Sequence, residues 1–101
     1  MYDVILILVD GTEERKQVKK SPDWQDIKKW VNGYIQSVPH FNKFEGRRCT
    51  AYVNEEAKLY PARFPLNEQA TKLWLEVLGK GPFIYKPELF GHMVVIMKAK
   101  K

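Results

Sequence analysis

The chain is predicted to fold as an α+β protein: a mixed, mostly antiparallel sheet of about five strands with two helices packed on one face. Three observations lead there. Two continuously apolar runs, at 4–9 and 93–97, read as central strands of one sheet. Two other segments place their apolar residues at helical spacing. Helices that interrupt a run of strands point to α+β rather than to a doubly wound sheet. At 101 residues the chain makes one domain, 1–101, with 98–101 as a frayed tail. A chain of this size buries over ~60% of the surface its unfolded form exposes, enough for one modest core.

The elements follow in order. Residues 2–9 (YDVILILV) are β-prone and apolar at both alternating sets of positions, as in a strand covered on each side. Asp10-Gly11 is the commonest signal for a type I′ hairpin turn. The return strand at 12–19 is almost wholly charged, with Val18 its one aliphatic residue, and reads as a solvent-facing edge. Ser21-Pro22 suits an N-cap and first helical turn, and Trp24, Ile27, Trp30, Val31 and Tyr34 fall near helical spacing, so the first helix is expected over about 22–32. Gly33 is expected to end it.

Residues 34–38 read as extended and are stopped by Pro39, and 40–48 as a loop or hairpin tip. Strand character resumes at 49–53, turns at 54–57 and returns at 58–60. The second helix is marked by an apolar stripe of Leu66, Ala70, Leu73, Trp74, Val77 and Leu78, with Asn67 as its cap and Gly79 past its end. The segment 79–91, GKGPFIYKPELFG, reads as a loop of the length used for binding elements and lids, and its Phe83, Ile84 and Tyr85, beside Leu89 and Phe90, suit an interface patch. The strand at 93–97 is expected beside the first.

Apolar residues make up 45% and charged residues 29%, far from the composition of disorder. The one cysteine, Cys49, allows no intramolecular disulfide, and no basic segment followed by an apolar one opens the chain. A cytoplasmic location is therefore expected. The apolar run at 4–9 is far short of the ~20 residues that span a bilayer, so no membrane association is expected. The net charge of +5 comes from 17 basic and 12 acidic residues. It is scattered in short groups, which fits either a solvated surface or an anionic partner.

Catalytic chemistry finds little support. Cys49 lies in a predicted strand with no motif relation to His40 or His92, and Ser21 and Ser37 read as a cap and a strand residue. One cysteine and two distant histidines do not make a zinc site. The pairs Glu13/Glu14 and Glu55/Glu56 point apart in a strand or outward in a turn. GKGP at 79–82 follows a helix, whereas a phosphate-binding loop of that type follows a strand. No enzyme activity, cofactor or metal is expected. For nucleic acid, Lys43, Arg47 and Arg48 supply charge among the aromatic residues Tyr34, Phe41, Phe44, Tyr52, Tyr60, Phe83 and Tyr85, without an RNA-recognition consensus.

Four segments carry a likeness to known proteins: WVNGYIQSVP at 30–39, AYVNEEAKLY at 51–60, PLNEQATKLW at 65–74 and FGHMVVI at 90–96. In order and approximate spacing they resemble a family of small phage- and plasmid-encoded domains of unknown function, whose members read VGGYIE, VNEEGKL, LPxNxxAT with a following Leu-Trp, and a glycine before a valine-rich strand. The likeness covers roughly residues 24–98. Asn32, Ala57 and His92 depart from it, standing where a glycine, a turn glycine and an acidic residue are usual. Should the turn need a positive φ at 57, alanine there costs roughly 1 kcal/mol.

The resemblance implies an accessory protein of a mobile genome and no assigned activity. Its polar positions Tyr34, Asn54, Glu55, Asn67 and Thr71 fall at the ends of predicted elements and are candidates for a ligand site at one end of the sheet; each also has a local use as cap, turn or helix stop. Side chains turned into a shared cleft would mean a ligand, and side chains bonded to nearby backbone would mean structure. The expected function is a non-enzymatic accessory protein that binds a host protein, another host macromolecule or a small anionic ligand and so modulates host machinery. The alternative is a basic nucleic-acid-binding module using Lys43, Arg47, Arg48 and the 79–91 loop.

Overall fold

A computed structural model describes residues 1–60, 62–79 and 87–98. Its strands are β1 (Tyr2–Ile7), β2 (Glu13–Val18), β3 (Ile35–Ser37), β4 (Lys43–Phe44), β5 (Arg47–Arg48), β6 (Thr50–Asn54) and β7 (Met93–Lys98), with helices α1 (Trp24–Val31) and α2 (Glu68–Leu78). Five strands form one antiparallel sheet in the order β2-β1-β7-β6-β3, and β4 and β5 pair in a separate hairpin. The α+β class, the strand number and the central pairing of the two apolar runs are as the sequence predicts.

The helices do not share a face. Val4, Leu6 and Val94 pack with Ile27 and Val31 of α1, whereas Ile5, Ile7, Met93, Val95 and Met97 pack with Ala70, Leu73, Trp74 and Val77 of α2. Successive side chains of a strand point to opposite faces, so a strand apolar at every position must be covered twice. Residues 4–7 of β1 and 93–97 of β7 are of that kind, and each face therefore receives one helix. The expectation of two helices on one face is corrected on this point.

Local differences have local causes. The β1–β2 connection is a three-residue loop rather than a type I′ turn: the Leu8 amide donates to the Thr12 carbonyl (2.9 Å), that of Gly11 donates to Leu8 (3.0 Å), and Gly11 takes φ 89° as the bulge residue. The Asp10 carboxylate favours this loop by accepting from both the amide and the hydroxyl of Thr12 (2.9 and 2.6 Å). Helix α1 starts after Asp23 because Asp23 and Asp26 form a reciprocal capping box (3.0 and 3.2 Å), which satisfies one amide more than Ser21 would. It ends at Asn32, in the left-handed conformation at φ 60° that asparagine tolerates better than most residues. The expected strand at 58–60 is instead a 3-10 turn, Ala57–Leu59, in which buried Ala57 has no positive φ and carries no strain.

Candidate functional site

The five polar positions gather at one end of the sheet but not in one cleft. Asn54 lies on the α1 face, where its side-chain amide donates to the carbonyls of Val31 and Asn32 (3.0 Å each) and its oxygen accepts from the Glu56 amide (2.8 Å). Asn67, fully buried, lies on the α2 face; it caps α2 by accepting from the Ala70 amide (3.0 Å) and donates to the carbonyls of Ile7 (2.9 Å) and Gly91 (2.8 Å). The Thr71 hydroxyl accepts from the Leu89 amide (2.9 Å). Tyr34 and Glu55 are exposed: the Tyr34 ring lies under the Lys28 ammonium, and its carbonyl accepts from the Glu55 amide (2.8 Å). The polar groups of Asn54, Asn67 and Thr71 are thus taken up by backbone bonds that join elements. The shared ligand cleft expected of these positions is not formed by them.

A cleft does open at the other end of the sheet, where β1 begins and β7 ends. Its volume is about 580 Å³, within the usual range for ligand sites. Tyr2, Thr50, Tyr52 and Ile96 form the floor, on the sheet face that α1 only partly covers. Ser21 and Pro22, leading into α1, form one wall. Asn42, Lys43 and Arg48 of the β4–β5 hairpin form the other, and Lys98 closes the end. Among the described residues three cations line this space and no carboxylate does. The acidic residues next in sequence to lining residues are engaged elsewhere: Asp23 and Asp26 with each other in the capping box, and Asp3, one residue from Tyr2 and so on the opposite face, with Gln17 (2.9 Å) and Arg47 (2.9 Å).

The hairpin that presents Lys43 and Arg48 is fixed from behind. Phe41 and Phe44 stack with ring centroids 6.4 Å apart and are buried on the α2 face, and the Trp74 indole donates to the Pro39 carbonyl (2.8 Å). Glu45, at the hairpin tip, accepts two bonds from Arg15 (2.8 and 3.1 Å). Arg47 points away from the cleft, bonded to Asp3 and to the Lys98 carbonyl. Of the expected basic trio, then, Lys43 and Arg48 line the cleft, and Arg47 secures the hairpin to the sheet.

The Asp3 carboxyl is held below its usual range by the Gln17 hydrogen bond first and by Arg47 second. A depressed value means that the ionised form stabilises the fold above the unfolded value near ~3.9, and that this contribution is lost as pH falls through the lower folded value. Asp3→Asn is expected to lower the urea midpoint at about pH 6, with the gap from the parent chain closing toward about pH 2. A gap that does not change with pH would remove the ionic part of this anchor.

Cys49 lines the cleft but is half-buried, and burial pushes its thiol up to about 11, so it is held as the thiol at neutral pH. Among the described residues no three His, Cys, Asp or Glu side chains gather as a metal-holding group, and no helix is long and apolar enough to cross a membrane. Phe83, Ile84 and Tyr85 lie outside the described residues; Leu89 beside them is a core residue rather than part of an exposed patch. Phe41 and Phe44 are likewise core. Sequence reasoning missed Tyr2 and Lys98 as cleft residues. Their signal was the register of the two apolar strands, which sets Tyr2 directly opposite Lys98. No family model, curated protein or solved structure matches this chain.

Proposed function

We propose that the chain is a non-enzymatic accessory protein that holds an anionic group in the cleft between the β4–β5 hairpin and the leading end of α1. The reading rests on one observation: Lys43, Arg48 and Lys98 converge on a cleft whose lining, among the described residues, includes no carboxylate. Lys43 and Arg48 stand directly opposite each other in the hairpin register, and among the described residues neither has an ion-pair partner. Like charges so placed destabilise a strand pair. Local rules are broken in this way mainly at sites kept for binding.

The likeness of the four motif segments to phage- and plasmid-encoded domains supports an accessory role in a host cytoplasm, with the bound anion belonging to host machinery. Chemistry on the ligand is not part of this reading: burial holds the Cys49 thiol un-ionised, and the described lining offers Ser21 and Thr50 no histidine or carboxylate to act as base.

Inorganic pyrophosphate, titrated while amide resonances are followed, is expected to shift Lys43, Arg48, Thr50 and Lys98 together. Lys43→Glu with Arg48→Glu should weaken binding by at least about tenfold, the equivalent of ~1.4 kcal/mol. Lys72→Glu, exposed on α2, should leave it unchanged. The single change Lys43→Thr should raise stability by roughly 0.2–1 kcal/mol while weakening binding, because it relieves the like-charge pair. Shifts scattered over all surface lysines, or none at millimolar pyrophosphate, would defeat the proposal.

A further inference from the structure

Resting on that reading of the cleft, we infer that its ligand is a single strand of nucleic acid, with bases stacked on Tyr2 and Tyr52 and phosphates held by Lys43, Arg48 and Lys98. The floor separates this from binding of a simple anion. Tyr2 and Tyr52 are both half-buried, lie on the same sheet face and line the cleft, Tyr52 also packing against the cluster that holds Ile27 and Val31 of α1. A tyrosine hydroxyl can donate to a phosphate, but its ring adds apolar π-surface that phosphate does not use and a base does. A stacking platform beside a cationic groove is the arrangement by which proteins hold unpaired strands, because every base has a π-face.

The spacing of the rings favours a strand over a mononucleotide. Tyr2 is opposite Lys98 on β7, whereas Tyr52, on the far side of β7, is opposite Val94. Two strand spacings across and four residues along place their backbones roughly 17 Å apart. A single base and its phosphate do not span that distance, whereas about two or three nucleotides of an unstacked strand do.

Duplex nucleic acid fits poorly. Paired bases are already stacked on one another and are read by a helix or ribbon inserted into a groove, not by rings on a concave floor. The charge of the rim also extends beyond the lining residues, since exposed Lys19 and Lys20 directly precede Ser21 and Pro22. A strand leaving the cleft past Pro22 meets two more cations. Arg47, bonded to Asp3, takes no part.

The test measures fluorescence anisotropy of labelled oligo(dT) and oligo(U), with an abasic oligomer of equal phosphate count and a duplex as comparisons. One of the two single strands at least is expected to bind, with the abasic oligomer and the duplex weaker by tenfold or more. Tyr52→Leu and Tyr2→Leu should each weaken strand binding by roughly 5- to 100-fold with an unchanged salt slope, and Tyr52→Phe should restore it. Lys43→Glu with Arg48→Glu should instead reduce the log–log salt slope by about 1.4. The abasic comparison uses the unaltered protein, so it stands even if a tyrosine variant misfolds. Abasic and base-bearing strands binding alike would overturn the stacking inference and leave anion binding intact. Failure of every oligomer while pyrophosphate still binds would do the same, and failure of pyrophosphate as well would remove the underlying reading.

Discussion

Asn67→Ala is expected to destabilise the fold by about 3–7 kcal/mol, from the loss of a helix cap of ~1 and of donors to two buried carbonyls at ~1–3 each. Asn67 is fully buried and joins three elements at one point: the first turn of α2 through the Ala70 amide, the end of β1 through the Ile7 carbonyl, and the approach to β7 through the Gly91 carbonyl. Its backbone amide also donates to Leu89 (2.8 Å). A domain of this size has a total stability of roughly 5–15 kcal/mol, so the variant should lie at the edge of folding. Asn67→Ser separates the parts. Serine caps a helix as well as asparagine does but is too short to reach the two carbonyls, so it should recover only about 1 kcal/mol. A urea midpoint for the serine variant equal to that of the parent would mean that capping is the whole effect.

The second large effect is expected at Gly33. A Cβ there would lie 2.6 Å from the Asn54 side-chain nitrogen, and the backbone sits at φ 151°, which residues with side chains rarely adopt. Gly33→Ala must therefore displace the Asn54 amide from the carbonyls of Val31 and Asn32, freeing the end of α1 from β6. Backbone strain of ~1–3 kcal/mol and the lost buried hydrogen bonds together give a loss of about 3 kcal/mol. The collision predicts non-additivity: with Asn54→Ala already present, Gly33→Ala should cost less, because the atom it strikes is gone. Strict additivity in denaturant melts would show that the glycine is needed for its backbone conformation alone.

These two positions show where sequence reasoning reached and where it stopped. The central strands were legible because residues 4–7 of β1 and 93–97 of β7 are apolar at every position, and α2 because its stripe, its asparagine cap and its closing Gly79 agree. The placement of the helices was implied by the same two strands, since a ribbon apolar on both sides needs two covers, but the rule was applied to each strand and not to the layers. The polar motif positions were seen, and so was the capping of α2 by Asn67, but not the bonds by which Asn54 and Asn67 join separate elements. Whether Asn54 faces a ligand or a helix end depends on which face of β6 it occupies, and that is set by register with β7 rather than by any neighbour in sequence. The cleft was half legible: Lys43 and Arg48 stood out as charges, but Tyr2 and Lys98 join them only once residues at the two extremes of the described chain are paired.

That pairing of β1 with β7 governs how the molecule can be made. The middle of the sheet is a ladder between residues 2–7 and 93–98, so nothing synthesised earlier can complete it. Contacts that span nearly the whole chain form slowly and only after loop closure over most of its length. On the ribosome, β1 therefore waits as an exposed, aggregation-prone ribbon until β7 has left the exit tunnel, and the charges of β2, available at once as its hairpin partner, shield one of its two edges in the meantime.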